Sequence, residues 1–217
     1  VPPGKVLVIG AGVAGLAAAG AARGLGAIVR AFDTRSAVRE QVTSMGAEFL
    51  EVLIEEEGET AAGYSKVMSQ AFIDAEMAMF REQAKDVDIV ITTALIPGRK
   101  APILWTTDMV ESMKPGSVVV DMAAIKGGNC ELTVNGEHVV HNGVHIIGHA
   151  DLATRMPTTA SNLYGGNLVH MLDEFGGAEG WNLDLTNEIA RGMVYLLDGV
   201  KPVLPDLPEK EAKPAPE

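Results

Sequence analysis

The chain has 217 residues, 47% of them apolar, and a formal net charge of −12; the length suits one large domain, or one domain with an appendage. The acidic balance argues against nucleic acid or anionic lipid as partners, and no apolar run reaches the roughly 18 residues needed to cross a bilayer. Cys130 is the single cysteine, so an internal disulfide is excluded and a reducing compartment fits.

The chain opens on Pro2 and Pro3, read as a stiff hinge at a domain boundary within a longer protein, without the layout of a signal peptide. Val6 to Ile9 then reads as a buried strand, Ala14 to Leu25 as an alanine-rich helix, and Ile28 to Phe32 as a second strand. Ser36 to Met45 predicts a helix capped by Ser36 and ended by Gly46, followed by a weaker strand over Glu48 to Leu53. A polar loop follows. Lys66 to Lys85 has the spacing of a long amphipathic helix, on which Met68, Met77 and Met79 read as packing. Strands are expected at Ile89 to Thr92 and Val118 to Asp121, with a short helix at Thr106 to Met113 between them.

Beyond Asp121 the pattern changes. "CELTV-NGE-HVVH" alternates around Asn135-Gly136 and predicts a β-hairpin, and "VHIIG" a further core strand. Histidines 138, 141, 145 and 149 recur at three- or four-residue intervals, but their Val- and Ile-rich setting reads as strands, so no metal site is expected. Ser161 to Leu172 predicts a helix, Asp198-Gly199 a small hairpin, and the Pro-, Glu- and Lys-rich end a linker or tail. Alternating strands and helices imply a doubly wound parallel sheet of the α/β class.

"VLVIGAGVAGLAAAG" places a glycine turn between a strand and a helix. Gly10 permits the tight turn, Gly12 the close approach of a diphosphate, and Gly15 the packing of helix on sheet. The helix mouth supplies free N–H groups and partial positive charge. Asp33 ends the next strand, 18 residues after Gly15, where a dinucleotide-binding fold of the Rossmann type places an acid for the ribose hydroxyls. A carboxylate there repels a 2′-phosphate, so NAD is favoured over NADP. Arg35 has three readings: receiving such a phosphate, pairing with Glu40, or covering the adenine. Thr92, Thr93, Ala94 and Leu95 end another strand at the same sheet edge, beside the expected ribose or nicotinamide.

No acid–base pair stands out for a self-sufficient dehydrogenase. Asp121, Lys126, His149 and Asp151 are the candidates, and none has a matching partner in the sequence. Hydride exchange between two nicotinamides needs no such pair. It needs two rings held close with water shut out. No catalytic residue is therefore assigned.

Carried by "VPPGKVLVIGAGVAGLAAAGAARGLGAIVRAFDTR", "EQVTSMGAEFLEV", "AGYSKVMSQAFIDAEM", "VDIVITTALIPGRKAP", "MVESMKPGSVVVDMAA" and "GGNCELT", the chain closely resembles the NAD(H)-binding component of the proton-translocating nicotinamide nucleotide transhydrogenases. Alanine dehydrogenases are similar in the glycine turn, the "IPG" loop and the "MKPGSVVVD" strand. They carry an aspartate where Ile125 stands, and they lack the Glu55 to Met68 insertion that resembles the transhydrogenases' loop. The resemblance implies NAD contacts at Val13, the run Asp33, Thr34 and Arg35, Gly63 and Tyr64 in that loop, Glu76, and Leu95, beside Gly10, Gly12 and Gly15 of the turn.

It implies a Rossmann-like domain over 1–165, a segment over 166–201 belonging to a missing first domain, and a tail over 202–217. The helix at 161–172 and the last hairpin should then expose apolar surface. The partners implied are an NADP(H)-binding component, a membrane component and a second copy, with the Asn135-Gly136 hairpin at the dimer contact. The implied activity is hydride transfer from NAD(H) to NADP+ coupled to proton translocation, and the implied location is the cytoplasmic face of a bacterial inner membrane or the mitochondrial matrix side. The alternatives are an alanine-dehydrogenase-like amino-acid oxidoreductase and a non-catalytic NAD-sensing module.

Overall fold

The computed structural model describes residues 1–52, 54, 68–96, 98–178 and 180–204. It divides into two compact units, Val1–Asp151 and Leu152–Glu217. In the first, a seven-stranded sheet runs in the order β3-β2-β1-β4-β5-β7-β6. The strands are β1 (Lys5–Ile9), β2 (Ile28–Phe32), β3 (Glu48–Leu50), β4 (Ile89–Thr92), β5 (Val118–Asp121), β6 (His138–His141) and β7 (Val144–Ile147). All neighbours pair in parallel except β6 with β7. This is the α/β doubly wound sheet that the alternating pattern predicts.

The central strand shows why the sheet is buried on both faces. In β1, Leu7 and Ile9 join one hydrophobic cluster, while Val6 and Val8 join the other. Alternate residues of a strand face opposite sides, so an unbroken apolar run feeds two cores. Helices α1 (Val13–Gly24), α2 (Arg39–Ser44), α3 (Gln70–Ala84) and α4 (Thr107–Ser112) complete the crossovers. On the α3 side, Phe32, Phe80 and Trp105 form an aromatic ladder. Phe80 meets Phe32 edge-on at 5.2 Å and Trp105 at 6.2 Å.

Several elements depart from the sequence expectations. Ser36 caps no helix: one turn of 3-10 helix spans Ser36–Val38, and α2 starts at Arg39 without a side-chain cap. Here the Arg35 N–H donates to the Asp33 side chain at 2.9 Å, a local turn that draws the helix start onward. Helix α3 begins at Gln70, where the Ser69 hydroxyl accepts from the Phe72 N–H at 3.3 Å.

The hairpin also shifts. The turn joining β6 to β7 is Asn142-Gly143, both at positive φ as a two-residue hairpin loop requires, and not Asn135-Gly136. The segment from Cys130 to Thr133 is held as a loop because the Asp121 carboxylate accepts from the Cys130 N–H at 2.9 Å and the Thr133 hydroxyl at 2.7 Å. Histidines 138, 141 and 145 do lie on strands. Among the described residues, no group of three or more His, Cys, Asp or Glu is placed to hold a metal ion.

The second unit holds α5 (Leu152–Arg155), α6 (Pro157–Glu174) and α7 (Glu188–Met193). Helix α6 starts earlier than expected because Pro157 occupies its first turn, where a missing N–H costs nothing. Helix α7, capped by Asn187, has no counterpart in the sequence expectations. Phe175 packs edge-on against Trp181 at 5.5 Å. Leu163, Tyr164, Val169 and Leu172 of α6 are exposed, as are Tyr195, Leu196 and Val200 around the Asp198-Gly199 turn. Among the described residues no helix is long and apolar enough to cross a membrane. The expected linker falls largely outside the described residues.

Phe80 is fully buried at the centre of the ladder. Phe80→Ala is expected to lower the unfolding free energy by roughly 3–5 kcal/mol, read as a lower urea midpoint.

Candidate functional site

Strand β1 runs into the glycine turn, and α1 opens at Val13, which is exposed. Gly10 has φ +97°, and a Cβ there would stand 2.6 Å from the Thr93 hydroxyl. A Cβ on Gly15 would stand 1.8 Å from the Gly10 carbonyl oxygen, so only glycine lets α1 pack beneath its own entry turn. At Gly12 a Cβ would meet nothing within 4 Å, because that position opens into a cleft. No side chain caps α1, and its first turn holds no acidic residue. Its leading N–H groups and the positive end of its dipole are left for an anion.

Asp33 continues from β2 at the lip of the same cleft. One carboxylate oxygen accepts from the Ala11 N–H and the Arg35 Nη2, each at 2.8 Å. The other accepts from the Arg35 N–H and Nε, each at 2.9 Å. Burial pushes the Asp33 carboxyl up, but the bonds from the Arg35 side chain, the Arg35 N–H and the Ala11 N–H outweigh it and hold it below its usual range. Arg35 thus pairs with Asp33 rather than with Glu40. Beside them the Thr34 hydroxyl oxygen is buried and, among the described residues, has no hydrogen-bond partner, an orphan that a ligand hydroxyl or phosphate can satisfy.

The cleft measures about 450 Å³. It lies where β1 and β4 part company in the chain's winding, the switch point at which open α/β sheets hold ligands. Gly10, Gly12, Asp33, Thr34, Arg35, Glu76 and Leu95 line it together, although they come from four separate stretches of the sequence. Gly15 and Val13 stand in the helix behind the turn. Gly63 and Tyr64 lie outside the described residues. A second hollow, of about 480 Å³, adjoins the cleft through Phe32, Asp33 and Thr34.

Glu76 enters from α3 and is only 5% exposed. Burial alone pushes its carboxyl up to about 7. Among the described residues it has no hydrogen-bond or ion-pair partner.

The floor of the cleft depends on two buried residues. Asp121 accepts from the Thr92 hydroxyl, the Ala123, Asn129 and Cys130 N–H groups and the Thr133 hydroxyl, at 2.7–3.0 Å. Asn129 is fully buried. Its side-chain oxygen accepts from the Ala94 N–H at 3.0 Å, and its amide donates to the Ala94 carbonyl at 2.9 Å and the Pro102 carbonyl at 2.8 Å. Ala94 and Pro102 both line the cleft, so one side chain ties the two ends of that wall together.

Two sequence expectations change here. Thr92 is fully buried and bonds to Asp121 instead of lining the cleft, while Thr93, Ala94 and Leu95 do line it. Met68 and Met77, read as packing alone, form cleft wall with Ile73. The i, i+3, i+4 spacing of Ile73, Glu76 and Met77 is the signal that would have placed them on one helix face. Asn129 gives no such signal, because its role follows from loops meeting in space. Cys130 is buried, and burial pushes its thiol up to about 11, which removes it as a nucleophile.

Comparison with known proteins gives one consistent answer. Residues 1–201 match the family model "Alanine dehydrogenase/PNT, C-terminal domain". The NAD(P) transhydrogenase subunit alpha of Haemophilus influenzae is 53% identical over 100% of this chain and 44% of its own length. The subunit of the same name from Cereibacter sphaeroides is 50% identical over 92% of this chain and 39% of its own. A transhydrogenase structure from Sinorhizobium meliloti is 45% identical, with a TM-score of 0.65 over 80% of this chain and 45% of that one. An L-alanine dehydrogenase structure is 31% identical, with a TM-score of 0.57 over 75% of this chain and 40% of that one. The chain therefore spans less than half the length of these relatives. The glycine turn, the acid ending β2 and the switch-point cleft sit within the matched residues, and the chain belongs to the alanine dehydrogenase/PNT C-terminal-domain family.

Proposed function

We propose that the first unit binds NAD(H) in the β1–β4 cleft and presents it for direct hydride transfer to NADP+ held by a partner component, as part of a proton-translocating transhydrogenase. The carrying observation is the uncapped α1 terminus beside a Gly12 position open to the cleft, with Asp33 at the lip. The dinucleotide supplies the hydride chemistry when bound. The chain's own residues bind and orient it.

In this reading the diphosphate lies against Gly10, Gly12 and the N–H groups from Val13 onward. Asp33 takes the adenosine ribose hydroxyls. All four of its acceptor positions are filled in the structure, two by the Arg35 side chain, so ribose binding exchanges guanidinium contacts for hydroxyl contacts. Thr34 and Glu76 meet the same adenosine half, and Leu95 the wall nearer the nicotinamide. Gly63 and Tyr64 belong to the loop proposed to cover the ligand. The identity of the relatives favours the transhydrogenase over an amino-acid oxidoreductase.

The partners proposed are an NADP(H)-binding component, a membrane component and a second copy of the chain. The location is the membrane face where that complex meets the cytoplasm or, in a mitochondrion, the matrix. The exposed apolar residues of α6 and of the Asp198-Gly199 turn are proposed to pack on a first domain belonging to the remaining length of such proteins.

Titration with NADH and NADPH, followed by nucleotide fluorescence, is expected to show clear preference for NADH. Asp33→Ala should weaken NADH binding about tenfold or more, since hydrogen bonds to a charged group contribute roughly 1.5–3 kcal/mol. Preference for NADPH, or unchanged binding by the variant, contradicts the ribose assignment. Asn129→Ala leaves the Ala94 N–H and the Ala94 and Pro102 carbonyls without their partner. It is expected to weaken NADH binding and to lower stability by roughly 1–3 kcal/mol, read from the same titration and a urea melt.

A further inference from the structure

Glu76 is a carboxyl group set in a cleft where, among the described residues, nothing balances its charge. It stands 5% exposed on α3, and among the described residues nothing donates a hydrogen bond to it. Among the described residues the other titratable groups lining the cleft are Asp33 and Arg35, and these two are bonded to each other. Ile73 and Met77 of its own helix line the same cleft, as do Leu95, Ile96, Pro102 and Ile103, all without charge. The histidines at 138, 141 and 145 lie on β6 and β7 and line no part of the cleft. An isolated buried carboxylate is costly, and the group escapes that cost by holding a proton.

A dinucleotide makes the ionised form costlier still. Its diphosphate brings two negative charges into the same low-dielectric space, and its sugars and base are rich in lone pairs. A neutral carboxyl can donate to such an acceptor, whereas a carboxylate cannot.

On the nucleotide-binding reading above, we propose that Glu76 meets the bound dinucleotide as a neutral acid donating a hydrogen bond to it, and that binding draws the required proton from solvent. The step is a protonation: an Oε–H bond forms, the proton comes from water or buffer, and no electron is transferred. The carboxyl, already raised to about 7 by burial, is partly ionised near neutrality before the ligand arrives. Affinity should therefore fall as pH rises, by about tenfold between pH 6 and pH 8 where the bound form stays protonated.

The test is isothermal titration of the chain with NAD+ at pH 7.5 in two buffers of different ionisation enthalpy, for the wild type and Glu76→Gln. The wild type should take up more than half a proton per nucleotide bound, and E76Q should bind with no uptake and a flat pH profile. Uptake persisting in E76Q, release of a proton, or binding without proton exchange by the wild type would each overturn the proposal while leaving nucleotide binding intact. Failure of the wild type to bind NAD+ at all overturns both this inference and the function beneath it.

Folding of the variant is read independently, without ligand, by urea unfolding across pH. The folded carboxyl, raised from 4.5 to about 7, holds a proton that the unfolded chain has lost within that window. Wild-type stability therefore falls as pH rises through it. The urea midpoint of E76Q relative to wild type should increase from pH 5 to pH 8, and a constant difference would remove the buried neutral acid on which the proposal stands.

Discussion

The carbonyl oxygen of Gly10 and the α-carbon of Gly15 stand so close that no side chain fits between them. That steric constraint sets the path of the chain from β1 into α1. It also sets what the helix mouth can face. With Gly15 beneath the turn, α1 packs on the sheet, while Gly12 keeps its open side toward the cleft. The Thr93 hydroxyl donates to the Gly10 carbonyl at 3.0 Å, so the end of β4 is fastened to the same turn. The uncapped helix mouth that faces the cleft is therefore a consequence of backbone packing, with no charged side chain needed to create it.

Strand ends alone do not make a cleft wall, because loops leaving them have their own backbone groups to satisfy. Asp121 and Asn129 resolve this. The buried carboxylate gathers donors from β4 and from the loop after β5. The amide one loop away then closes on Ala94 and Pro102. A fully bonded polar cluster in a low-dielectric interior gives directional contacts that apolar packing cannot supply. Its position behind the cleft, not in it, means that backbone lining the cleft is held by side chains that do not line it.

Legibility in the sequence follows the range of the forces involved. The core strands β1, β2, β4 and β5 are readable because buried parallel strands are unbroken apolar runs, as in Val6–Ile9 and Val118–Val120. The glycine turn and Asp33 are readable because their spacing is local. The hairpin is misplaced because two Asn-Gly pairs, Asn135-Gly136 and Asn142-Gly143, lie close together, and the choice between them is made by Asp121 from outside the segment. The Ser36 cap fails for a related reason. Asp33, a residue with its own role at the cleft, bends the chain first. Asn129 is illegible because its partners are 27 and 35 positions away in sequence.

Asp33 and Glu76 show how one cleft gives two carboxyl groups opposite characters. Both are buried, so burial favours the protonated form of each. Asp33 sits where backbone N–H groups and a guanidinium converge, and those donors keep it ionised as an acceptor. Glu76 shares the cleft lining with methionine, isoleucine and proline, and burial makes it keep its proton far more readily. A nucleotide carries both kinds of partner: sugar hydroxyls that donate, and oxygens and ring nitrogens that accept. A cleft holding one ionised and one neutral carboxyl can therefore complement both sides of that hydrogen-bonding pattern, where two carboxylates in one low-dielectric space would repel each other.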